Sequence, residues 1–172
     1  MSDHTNVFSR RAALMGLGAS ALALPARAQG AGLRLRAVTV DSSPLTRRGA
    51  DAYARAVDFY LAGSMRRAFA GLIDAGSRGA PTLVARVETI SLSAFAGGDG
   101  RRSRSGAGGG NDYLDGAGLL IAPGGAVSGT FPVLSVLEAA SAGAWNAPDI
   151  DSLRMQALCD HFAWWLRRKT GA

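Results

Sequence analysis

Apolar residues change their spacing several times along this chain, and each change marks an element. Leu33, Leu35 and Ala37 alternate with Arg34 and Arg36, and Val38-Thr39-Val40 closes the run. Period two with β-branched residues predicts a strand over 33–40. Asp41-Ser42-Ser43-Pro44 ends it, because proline donates no hydrogen bond and short polar side chains compete for the backbone. From Gly49 to Ile73 the period becomes four: Tyr53, Val57, Leu61, Met65, Phe69 and Ile73 line one face of an amphipathic helix. Alternation returns over Thr82–Leu92, where Leu83, Ala85, Val87 and Thr89 share a face. Strand character resumes over 111–122, and Pro123-Gly124-Gly125 turns the chain back into a run over 127–137, a hairpin signal. Pro132 demotes part of that last run to an edge position. After a loop at 140–148, Asp149 or Asp151 is positioned to cap a helix running to about Lys169, with Leu158, Phe162, Trp165 and Leu166 on its apolar face. The order strand, helix, three strands, helix predicts an α+β two-layer sandwich. Its four-stranded sheet is mixed, with both helices on one face.

The first 28 residues follow another logic. Ser9-Arg10-Arg11 precedes an uncharged apolar stretch from Ala12 to Leu24, and Ala26-Arg27-Ala28 supplies small residues for cleavage. That order defines a secretory signal, and the arginine pair addresses it to the twin-arginine translocase, a partner during export. The apolar run of about 13 residues is short of the ~20 that a membrane helix needs. Residues 1–28 are therefore read as a cleaved signal, 29–172 as one domain in the periplasm, and no transmembrane segment is expected in the mature form.

Composition sharpens this reading. Hydrophobic residues make up 48% of the 172, enough to bury a core. Loss of Arg10, Arg11, Arg27 and Asp3 with the signal lowers the formal charge from +6 to about +4. So modest an excess favours anionic envelope components over nucleic acid. A single cysteine, Cys159, rules out an internal disulfide and is expected to pack as a small hydrophobe.

The chemistry is defined mostly by exclusion. One histidine, His161, survives signal removal, and on a helix it points about 200° away from Cys159, so the two form no nucleophile-base pair. There is no G-x-S-x-G elbow or phosphate-cradling G-x-x-x-x-G-K-[ST], and Gly97-Gly98-Asp99-Gly100 does not open a helix. No cofactor and no metal are expected. The remaining binding candidates are Arg101, Arg102 and Arg104 in a glycine-rich loop over 97–110, together with Trp145 and Trp164. Trp164 and Trp165 are adjacent and cannot both face a core. Asp41, Asp112 and Asp115 are the carboxylates on which an alternative reading, a small periplasmic enzyme or ligand carrier, rests.

Val38 to Asp41, the run Gly110-Asn111-Asp112-Tyr113-Leu114 and Ala163 to Arg168 make the chain resemble a group of uncharacterised twin-arginine-signal periplasmic proteins of Gram-negative bacteria. Strand, long helix and meander more loosely resemble small envelope lipoproteins that assist outer-membrane assembly or wall synthases. The first resemblance carries no known activity and the second is one of fold alone; the absent catalytic constellations and the long polar loop predict a non-enzymatic binding or accessory protein of the cell envelope. Export is directly testable. The protein recovered from the periplasm is expected to begin at Gln29, and Arg10→Lys with Arg11→Lys to leave a full-length chain in the cytoplasm, both read by intact mass.

Overall fold

The computed structural model describes residues 32–93, 110–142 and 148–172. The expected signal with Ser9, Arg10, Arg11, Ala26 and Ala28, the loop residues Arg101, Arg102 and Arg104, and Trp145 lie outside the described residues.

Four strands form one open mixed sheet: β1 (Ala37–Asp41), β2 (Thr82–Ser91), β3 (Asn111–Ile121) and β4 (Val127–Glu138), in that spatial order. β1 runs parallel to β2, while β2, β3 and β4 form an antiparallel meander. Helices α1 (Ser43–Arg47) and α2 (Asp51–Phe69) connect β1 to β2, and α3 (Ile150–Thr170) follows β4. α2 and α3 pack side by side on one sheet face, giving the expected α+β two-layer sandwich.

One core joins the layers. Val57, Leu61, Met65 and Phe69 of α2 meet Leu158, Phe162 and Leu166 of α3 above Leu83, Ala85, Val87 and Leu114 of the sheet. Each large side chain so buried contributes about 1.5–3 kcal/mol before entropy is charged against it. Tyr53 continues the α2 stripe but is 43% exposed. It lies in the first turn, where it lines a cleft of about 210 Å³ with Leu92 and Met155.

Several boundaries differ from the periodicity. The helix expected over 49–73 ends at Phe69 and tightens into a 3-10 turn over Ala70–Leu72. Ile73 is extended because its neighbours bond to the lead of β1: Leu35 N–H donates to Leu72 O and Asp74 N–H to Leu35 O, both at 2.8 Å. The first strand accordingly starts at Ala37 and not Leu33. Pro44 ends that strand but also sits in the first turn of α1, a helix too short for periodicity to reveal. In β2 the register slips between Val87 and Thr89, leaving Glu88 as the extra residue of a bulge. Thr89 therefore turns outward and Ile90 packs against the core, contrary to strict alternation. Asp149 occupies the N-cap of α3 without a capping side-chain bond, and Asp151 turns to Arg154 instead.

Two glycines set the sheet's contacts. Gly125, at φ 84°, closes the β3–β4 turn, its N–H donating to Ala122 O at 2.8 Å. Gly116 lies opposite Val87 beside the bulge, where a Cβ would stand 2.2 Å from Arg86 O. Backbone cannot yield as a side-chain tip can. Gly116→Ala is therefore expected to cost about 1–3 kcal/mol. A lowered urea midpoint checks it, and an unchanged midpoint contradicts it.

Candidate functional site

The two segments nominated for binding, the arginine loop and the loop of Trp145, leave the fold at the same end. Their described flanks are Ser93 and Gly110 for the first, Ala142 and Pro148 for the second. β2 and β4 finish there, β3 and α3 begin there, and Ala139 N–H donates to Gly110 O at 3.1 Å.

A buried ion pair organises this end. Asp112 and Arg154 are almost fully enclosed, with side chains 3% and 2% exposed. The Arg154 Nε–H donates to Asp112 Oδ2 at 2.8 Å, and its Nη2 forms a second, short bond to Oδ1. Nη2 also donates to Ser93 O at 2.7 Å, and Nη1 to Asp151 Oδ1 at 3.0 Å. Ser93 N–H donates to Asp112 Oδ1 at 2.9 Å, and the Ser93 hydroxyl to Asn111 O at 2.6 Å. The forked geometry raises the Arg154 pKa, first through its hydrogen bonds to Asp112. Arg154 ties α3 to β3 and to the end of β2, so the flank of the arginine loop is held on both sides.

This arrangement decides among the carboxylates. Both Asp112 oxygens are taken by protein donors, which makes it a structural anion and removes it from the candidate enzyme or metal chemistry. Asp115 lies on the outer sheet face, opposite to Asp112, beside Leu134 in a shallow depression with Thr89, Tyr113 and Ser91. Asp41 closes β1, two strands from Asp115. Its carboxylate accepts from Ser43 N–H at 3.1 Å, and the bonds from Ser43 are the main reason its pKa is lowered. The structure does not bring the three together, and among the described residues no three His, Cys, Asp or Glu side chains cluster as metal ligands.

A second polar chain, marked by no local pattern in the sequence, joins β4 to α3. Ser135 Oγ lies 2.8 Å from His161 Nδ1, and Trp165 Nε1–H donates to His161 Nε2 at 2.9 Å. An indole nitrogen only donates, so Nε2 is the acceptor and the proton of neutral His161 sits on Nδ1, donating to Ser135. The Ser135 hydroxyl donates its own hydrogen bond to Leu158 O at 3.2 Å. A serine and histidine at this separation resemble an activated nucleophile, but here the donor direction is reversed and Ser135 is fully buried. Desolvation lowers the His161 pKa. Cys159 is buried as expected, and burial pushes its thiol up to about 12, so it holds no thiolate near neutrality.

Trp164 is the exposed member of the tryptophan pair, at 47%, with the Arg168 guanidinium 4.8 Å from its ring centroid. It sits 14 residues beyond Ile150 on α3, roughly 21 Å along the axis from the ion pair's end of the helix. Trp164 therefore belongs to the opposite end from the loop flanks, and the sequence candidates divide into two places.

Compared with protein-family models and with curated proteins, the chain matches none. Among the described residues no helix is long and apolar enough to cross a membrane.

Removing one partner of the buried pair strands the other charge. Arg154→Met is expected to cost about 3–5 kcal/mol, and Arg154→Met with Asp112→Leu distinctly less, by urea unfolding. A double variant weaker than the single would contradict the pairing. His161 carries the pH signature. Its folded pKa lies below the unfolded value of about 6.5, so the unfolded chain binds the proton more readily. Stability is therefore full above pH 6.5 and declines as pH falls through the folded pKa. The decline between pH 7 and 5 should flatten in His161→Gln.

Proposed function

We propose that the chain is an exported, non-enzymatic binding or accessory protein of the cell envelope, working in the periplasm. The observation that carries this reading is the outer face of the sheet. No described helix covers it, and although β1 and β2 carry Asp41, Arg86, Glu88, Thr89 and Ser91 there, the outward positions of β3 and β4 form an apolar patch around Asp115. Val84 stands beside Leu119, Ala117 beside Pro132, Tyr113 beside Val136 and Asp115 beside Leu134. Leu134 is 57% exposed, and the others form a half-buried or exposed surround. An antiparallel sheet with one wet face ordinarily alternates to polar residues there, and a contiguous apolar patch marks a surface that meets a partner.

The state of the reactive side chains supports the same reading. Asp112 is spent in an ion pair, His161 is bonded through both ring nitrogens, and Cys159 is buried as a thiol. The partner contacts in this reading are Arg101, Arg102, Arg104 and Trp145, from the segments whose described flanks lie at the loop end, and the adjoining sheet face. An envelope protein is the partner class.

The test compares the exported protein, a deletion of residues 98–109, and Leu134→Glu with Tyr113→Ser. After in-cell cross-linking, the same envelope protein should be recovered with the parent chain and reduced at least several-fold with either variant, while thermal midpoints stay within a few degrees. Equal recovery by all three overturns the proposal.

A further inference from the structure

Charge is sorted along the long axis of this domain, and the sorting defines a second surface. α2 ends in Arg66 and Arg67, and α3 ends in Arg167, Arg168 and Lys169. The two helix ends touch, since Arg167 Nη1 donates to Ala68 O at 2.6 Å, and Lys169 Nζ reaches Pro132 O at 2.5 Å. Arg34 and Arg36 flank Leu35, whose backbone bonds to Leu72 and Asp74 just beyond α2, so they join the same end. All seven are exposed.

Few anions oppose them. Asp160 pairs with Arg67 at 2.6 Å, and Asp74 accepts from Gly76 N–H in its own turn. Arg167 Nε–H donates to Ala172 O at 3.5 Å, and the other cations at this end form no ion pair with an Asp or Glu side chain among the described residues. Most acidic residues lie at the other end, where Asp41, Glu88, Asp112 and Asp151 are matched with Arg86 and Arg154. The partial negative charge at two helix C-termini offsets roughly one unit of the cationic excess and leaves most of it.

Trp164 stands in this basic end. Its ring lies against Arg168 and stacks on His161 at 6.3 Å between centroids, and its neighbour Trp165 is anchored through Nε1. The cations come from three separate elements around the end of the sandwich. They form a broad face, whereas the cleft beside Tyr53 and the depression beside Asp115 lie at the opposite end.

We propose that the end of the domain formed by the C-termini of α2 and α3 seats on an anionic phospholipid surface, its cations among the headgroup phosphates and Trp164 at headgroup depth. Charge complementarity selects the anion. A broad cationic face bearing an exposed indole is interfacial chemistry: tryptophan places an apolar ring and a polar edge at the boundary, and arginine gives phosphate forked donors. The sheet face assigned to a protein partner adjoins this surface at Pro132, but Leu134→Glu with Tyr113→Ser leaves the cations in place, so one can fail without the other.

The purified exported protein is floated with vesicles of phosphatidylcholine alone or with 30% phosphatidylglycerol, at about 0.1 M salt. Binding is expected with the anionic vesicles only and should weaken as salt rises. Each cation removed costs about five-fold in affinity. Arg66→Gln, Arg168→Gln and Lys169→Gln together should lose on the order of 100-fold, while Arg47→Gln with Arg55→Gln stays within two-fold. Brominated acyl chains should quench the protein's fluorescence, and Trp164→Phe should lose most of that quenching while still binding anionic vesicles. Equal binding to both vesicle types, or an undiminished triple variant, overturns the proposal. Binding to inorganic polyphosphate without quenching by brominated lipid also overturns it and assigns the face to a soluble polyanion.

Discussion

The buried Asp112–Arg154 pair is the constraint around which the loop end of this protein is arranged. Two charges withdrawn from water cost several kcal/mol apiece, and only full pairing and hydrogen bonding recover that. Here the recovery draws on four places in the chain: Asp112 at the start of β3, Arg154 in the first turns of α3, the backbone of Ser93 after β2, and Asp151. None can move far without exposing a charge to a dry interior. The flanks of the arginine loop and the start of α3 are therefore fixed by electrostatics as well as by apolar packing.

The rest of the molecule depends on close approach. α3 can lie on β3 because Gly118 carries no side chain, and a Cβ there would meet Leu166 Cδ1 at 2.3 Å. β3 can lie beside the bulge of β2 because Gly116 carries none either. The absence of a Cβ at Gly118 lets Leu166 reach the sheet.

Much of the architecture was legible in the sequence because local periodicity records which face is buried. Val57, Leu61, Met65 and Phe69 at spacing four, and Leu83, Ala85 and Val87 at spacing two, specified their elements, and the Pro-Gly-Gly turn specified the hairpin. What escaped depends on contacts distant in sequence. Ile73 leaves the helix because Leu35 claims its neighbours, and the bulge at Glu88 follows from pairing with β3. Arg154 was legible in principle. Stepping back by four from Leu166, Phe162 and Leu158 lands on it, and stepping back by two from Gly116 and Leu114 lands on Asp112. A cation on a buried helix stripe and an anion on a buried strand face each need a partner, and each is the other's. The candidate site was less legible than the fold, because no local pattern shows that Trp164 and the loop flanks fall at opposite ends.

The edge of β4 has a consequence of another kind. A twelve-residue strand that no described strand covers on one side is a template on which a second chain could extend the sheet, the first step toward aggregation. At residue 132 the strand is proline, with no donor, and the carbonyl there is already held by Lys169. The template is interrupted near its middle, so that an apolar outer face can stay exposed without inviting the chain to stack upon itself edge to edge.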